Sequence, residues 1–167
     1  MALVFADNAQ GAYVDEPRTI VGSNLGYGKY RVFYDTIDFS AKNAAIGDDV
    51  VIANLTTSST VWSLFRAWAT TAIATGATLQ IGLLNKASGT FYPVSPVLDL
   101  ETNVNVPVTW DTLDTTAGAA LPAVVEETFE GEATRKGRES DAWLVLRVAG
   151  ATADAGVIKF EIPATVE

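Results

Sequence analysis

Three apolar runs between residues 46 and 84, each closed off by turn residues, confine this chain to a small set of architectures. The first is Ile46-Gly47-Asp48-Asp49-Val50-Val51-Ile52-Ala53-Asn54-Leu55, with Gly47-Asp48-Asp49 as the turn signal. The polar stretch Thr56 to Thr60 separates it from Val61 to Ala69, and Thr78-Leu79-Gln80-Ile81-Gly82-Leu83-Leu84 follows. Runs this short, rich in β-branched and aromatic residues and bounded by Gly, Asp, Ser and Thr, read as consecutive strands.

The rest of the chain repeats the pattern. Tyr30 to Asp38 opens the sheet, because aromatic and β-branched side chains fit a pleated surface. Leu79, Ile81 and Leu83 alternate with polar or small residues. So do Val104, Val106, Val108 and Trp110, and likewise Ile158, Phe160 and Ile162. A period of two places one set toward a core and the other toward water. Pro107 cannot donate a ladder bond, which puts its strand at an edge. Runs 143–148 and 157–162, joined by residues 149–156, read as a hairpin-like meander, and Leu121 to Phe129 as one short helix. The polar run 131–141 reads as an exposed loop. The pattern predicts an all-β chain: a jelly-roll-like antiparallel β-sandwich over residues 30–167, preceded by an extended N-terminal arm over residues 1–29.

Two strands carry apolar residues on both faces. In Val61 to Ala69, Trp62, Leu64 and Trp68 share a face with Arg66, while Phe65, Ala67 and Ala69 take the other. In 143–148, Leu144, Leu146 and Val148 point inward and leave Trp143 and Val145 outside. Both faces want cover, from a second layer, the arm or a neighbouring subunit. The arm is itself apolar at intervals. The candidate protein–protein contacts are therefore Val4, Phe5, Tyr13, Ile20, Val21 and Leu25 in the arm, and Trp62, Trp68, Trp143 and Val145 on the strands.

Composition narrows function by exclusion. With no cysteine there are no disulfides or thiolate sites, and with no histidine the common general base and nucleophile pairs are gone. The sequence offers no catalytic residues, no cofactor-binding motif and no metal signature, and reads as a non-enzyme. A formal charge of −9 opposes nucleic acid binding. Residues 87–134 hold eight acids and no Lys or Arg, which predicts a negative surface. No run reaches membrane-spanning length, and the start of the chain lacks an export signal. Asp48-Asp49 with Asp35 or Asp38 is the best arrangement for calcium, although adjacent Asp residues before a strand usually form turns. The tryptophans, with Tyr27, Tyr30, Tyr34 and Tyr92, could form a sugar-stacking platform, but their strand positions favour core or interface packing.

The order of these runs resembles that of small jelly-roll structural proteins of tailed bacteriophage virions, especially head decoration or cement proteins. The similar segments are Thr36-Ile37, Gly47 to Val51, Leu55, Val61 to Trp68, Gly76 to Leu83, Ala142 to Leu146 and Ala155 to Ile162. The resemblance implies a protein on the outer surface of the virion capsid. There it would bridge major capsid protein subunits as a homo-oligomer, with a trimer matching threefold positions, after assembly in the bacterial host cytoplasm. A tail or neck component and a carbohydrate-binding β-sandwich module are the alternatives.

Overall fold

The structure, a computed structural model, describes residues 2–7, 30–55, 60–61, 65–99, 108–110, 123–124 and 142–165. The described residues are nearly all strand: β1 (Leu3–Phe5), β2 (Tyr30–Asp38), β3 (Asp49–Leu55), β4 (Thr60–Val61), β5 (Phe65–Thr71), β6 (Thr78–Asn85), β7 (Phe91–Asp99), β8 (Val108–Trp110), β9 (Ala123–Val124), β10 (Ala142–Ala149) and β11 (Val157–Thr165). No helix among them is long and apolar enough to cross a membrane.

They form two sheets. One has the order β1-β3-β10-β6-β7. The other runs β8-β5-β11-β4-β9, with β2 on the free side of β11. The antiparallel partners are nested: β2 pairs with β11, β3 with β10, β5 with β8 and β6 with β7. Successive pairs alternate between the sheets, as when one long hairpin is rolled up on itself. That is the winding of a jelly roll.

The alternation read from sequence sets the core. Leu79, Ile81 and Leu83 of β6, Leu144, Leu146 and Val148 of β10, and Ile158, Phe160 and Ile162 of β11 all turn inward and are buried, with Phe39 beside them. In the β1-containing sheet two irregularities shift the phase. Leu144 faces Ala53 while Val145 faces Val51, so Ile52 is an extra residue in β3, and both Ile52 and Ala53 reach the core. On β7 the register steps from Gln80–Val97 to Gly82–Pro93, so three residues face Ile81 alone. Ser95 fills that gap. Its hydroxyl accepts the Ile81 N–H at 2.9 Å and its carbonyl accepts the Gln80 side-chain amide at 2.9 Å.

Several expectations change. Runs 143–148 and 157–162 are no hairpin: β10 and β11 lie in opposite sheets and set their apolar stripes against each other across the core. Residues 123–124, inside the expected helix, are a strand paired with Thr60–Val61. Val61 to Ala69 is not one ladder, because the three-residue step from Glu161 to Ala164 on β11 is matched by five residues, Val61 to Arg66. Strand β7 was not anticipated, since Pro93 and Pro96 interrupt its pattern. The first residues of the arm also belong to the sandwich, as β1 pairs in parallel with β3.

Candidate functional site

The outer face of the β1-containing sheet carries a second apolar cluster made from five strands. Val51 of β3, Val145 of β10 and Leu84 of β6 are buried at its centre, with Phe5, Phe91 and Trp143 packed around them. Val145 is 0% exposed. It therefore cannot serve as the surface contact expected of it; the cover that its strand needs comes from this same chain. Gly82 makes this possible, because a Cβ there would fall inside the Phe91 ring. The glycine lets that ring pack closely against β6. From the other side Phe5 meets Trp143 edge to face, with ring centres 6.1 Å apart and planes at 86°.

Charged groups close the rim of this cluster. Lys86 sits over the Trp143 ring, 3.7 Å from its centre, and also donates to Asn54. Arg147 stacks 3.8 Å over Phe91 and grips Asp49 with two hydrogen bonds, Nε to Oδ1 at 2.8 Å and a terminal nitrogen to Oδ2 at 2.7 Å.

The acidic residues considered for calcium are dispersed over other tasks. Asp49 is committed to Arg147. Asp48 accepts the backbone N–H groups of Ala2 and Ala45, at 2.7 and 3.0 Å. Asp38 bonds Ser40, which with the backbone N–H groups of Ser40 and Ala41 holds its carboxyl below the ordinary value of 3.8, against a smaller opposing effect of burial. Asp35 is buried on β2 and accepts the Thr36 N–H. Among the described residues no three His, Cys, Asp or Glu side chains are placed to share a metal ion.

Of the other candidate contacts, Val4 is half-buried against the main core, Phe5 and Trp143 are half-buried in the second cluster, and Trp68 is half-buried on β5. Tyr13, Ile20, Val21, Leu25 and Trp62 lie outside the described residues.

The chain matches no protein-family model and no curated protein. Among solved structures, a chain of the "Cyanophage Pam1 capsid asymmetric unit" is similar, with 13% identity and a TM-score of 0.42, covering 93% of this chain and 99% of that one. The jelly-roll assignment rests on the strand pairing given above.

The opposite face, on the β11-containing sheet, also exposes apolar residues. Val32 and Tyr34 of β2 are 48% and 49% exposed. Tyr34 pairs across Glu161 with Arg66, and Thr36 pairs across Lys159 with Trp68, so these residues form two parallel rows on the outside of the sheet. Sequence reasoning named Trp68 and Tyr34 among the aromatic candidates and missed Val32, because it assigned β2 no outward face. The available signal was the alternation of Val32, Tyr34 and Thr36 against Phe33, Asp35 and Ile37.

Proposed function

We propose that this chain is a virion structural protein of a tailed bacteriophage, which decorates the capsid by binding the outer surface of the major capsid protein lattice. One observation carries the reading. The runs that resemble head decoration proteins fall on neighbouring central strands: Gly47 to Val51 leads into β3, Gly76 to Leu83 forms β6, and Ala142 to Leu146 lies on β10 between them, while Ala155 to Ile162 forms β11 at the middle of the other sheet. That these runs are central strands supports the reading. Function then resides in surfaces, with no turnover required, and many weak contacts repeated over a closed shell give high avidity. A trimer would suit threefold lattice positions.

The contact face moves from the expected 143–148 strand to the outer face of β2, β11 and β5. Exposed Val32 and Tyr34 on β2, and Trp68 across β11 on β5, supply apolar area around Arg66, Lys159 and Glu161. Purification of DNA-filled heads tests the function: the protein should copurify at a fixed ratio to the major capsid protein. Its absence from heads, or its presence in tails alone, overturns the reading in favour of a tail or neck component.

Tyr34 and Trp68 also favour a second reading, a carbohydrate-binding module, since aromatic rings flanked by charged groups on a sheet face stack on sugars. Glycan-array binding that disappears in Trp68→Ala supports that module. A decoration protein gives no such signal.

A further inference from the structure

The edge of β3 is a built receptor for the six-residue segment 2–7, whose middle is the strand β1. Three ladder pairs fix the register, Leu3 with Asp49, Val4 with Val50 and Phe5 with Val51. Backbone bonds from Asp49 N–H to the Ala2 carbonyl and from Ala6 N–H to the Val51 carbonyl, both 3.1 Å, bracket them. Side chains then clamp both ends. The Asp48 carboxylate takes the Ala2 N–H at 2.7 Å, while Lys42 donates to the Phe5 carbonyl at 2.8 Å and pairs with Asp7 at 2.7 Å. Ala6 is fully buried, and Phe5 completes the cluster around Val145. The ladder and the end clamps come from Lys42 and residues 48–51, and Phe5 packs with Val51, Leu84, Val145, Phe91 and Trp143.

We propose that this groove also accepts residues 2–7 of a second copy of the chain, so that neighbouring subunits exchange their first strands. Exchange conserves every contact named above, because the incoming segment is identical to the one displaced. Only the tether distinguishes the two arrangements. Residues 8–29 contribute 22 positions between the strand and β2, and such a length spans at most about 75 Å when extended. A domain of this size has a radius of gyration of roughly 15 Å, so an adjacent copy lies within reach. In dilute solution a copy's own tether supplies the higher local concentration and the strand stays at home. Where copies are crowded together the balance shifts toward exchange. The inference concerns this chain alone and does not depend on the capsid reading.

The natural absence of cysteine makes a clean cross-linking test available. Ala2 and Ala45 are exposed and donate to opposite oxygens of one carboxylate, so they are close neighbours. Full-length Ala2→Cys and Ala45→Cys chains would be mixed, unfolded, refolded at several concentrations and treated with a short bismaleimide. The double variant would be treated in parallel, and each single variant alone would serve as control. Exchange predicts an Ala2–Ala45 heterodimer whose yield rises with concentration, and an intramolecular product in the double variant at high dilution. No heterodimer at any concentration, beside an efficient intramolecular product, overturns the exchange. Absence of both products overturns the docking of the strand itself.

Discussion

Arg147 and Asp49 face each other directly across β10 and β3, joined by two hydrogen bonds, with the carboxylate 0% exposed and the guanidinium 24% exposed over Phe91. Removing one partner strands the other. Arg147→Ala leaves a buried carboxylate without its cation and is expected to cost about 3 kcal/mol. The double variant Asp49→Val, Arg147→Met should lose far less, since apolar residues of similar volume replace a buried pair at little cost. Urea unfolding of the wild type, Arg147→Ala and the double variant measures this directly. Equal losses in Arg147→Ala and the double variant would refute it.

Ser95 replaces a missing ladder bond on β7. In Ser95→Ala the Ile81 N–H loses its buried acceptor, which is expected to cost about 1 to 3 kcal/mol. Hydrogen exchange at the Ile81 amide should accelerate well beyond its neighbours. Unchanged protection there would show that another group serves that N–H.

Gly82→Ala tests the close approach of β7. The new methyl meets the Phe91 ring and also the Tyr92 carbonyl oxygen, 2.6 Å away. A loss of about 1 to 3 kcal/mol follows from overpacking. Adding Phe91→Ala should not restore wild-type stability, because the backbone oxygen remains and the cluster over Val145 is opened. Full recovery in thermal melts would count against this geometry.

Ser40→Ala tests the exposed turn after β2. Without the Ser40 hydroxyl the Asp38 carboxyl rises toward its ordinary value. A carboxyl whose pKa is depressed by folding adds stability above the pKa of the unfolded chain, and this is lost as pH falls through the folded value. The wild type should therefore be the more stable form at neutral pH, with the gap closing below about pH 4. An Asp38 titration midpoint, followed by NMR, that does not move in the variant would exclude the effect.

The inward residues of β6, β10 and β11 were legible from the sequence, because a two-residue period is local and needs no partner to be seen. Gly82 was visible as a glycine inside a strand pattern, but Phe91, the ring it admits, was not. Strand β7 was hidden by Pro93 and Pro96, whose missing N–H groups are tolerated on an edge strand where Ser95 bridges the irregular register. Val145 was read as outward and uncovered. It was expected to need cover from a second layer, the arm or a neighbouring subunit, and the cover comes from Phe5 of the arm and from Phe91, on strands far away along the chain.

By itself the sequence determined an all-β chain, the faces of its alternating strands and the absence of histidine and cysteine chemistry. Each of these is settled by a residue and its near neighbours. Only the tertiary structure decided which sheet each strand joins, that β10 and β11 oppose each other across the core, and which apolar outer face is covered. Strand pairing and burial depend on which surfaces meet in space, and the free energy of removing Val145 from water is the same whatever the distance along the chain to the ring that covers it.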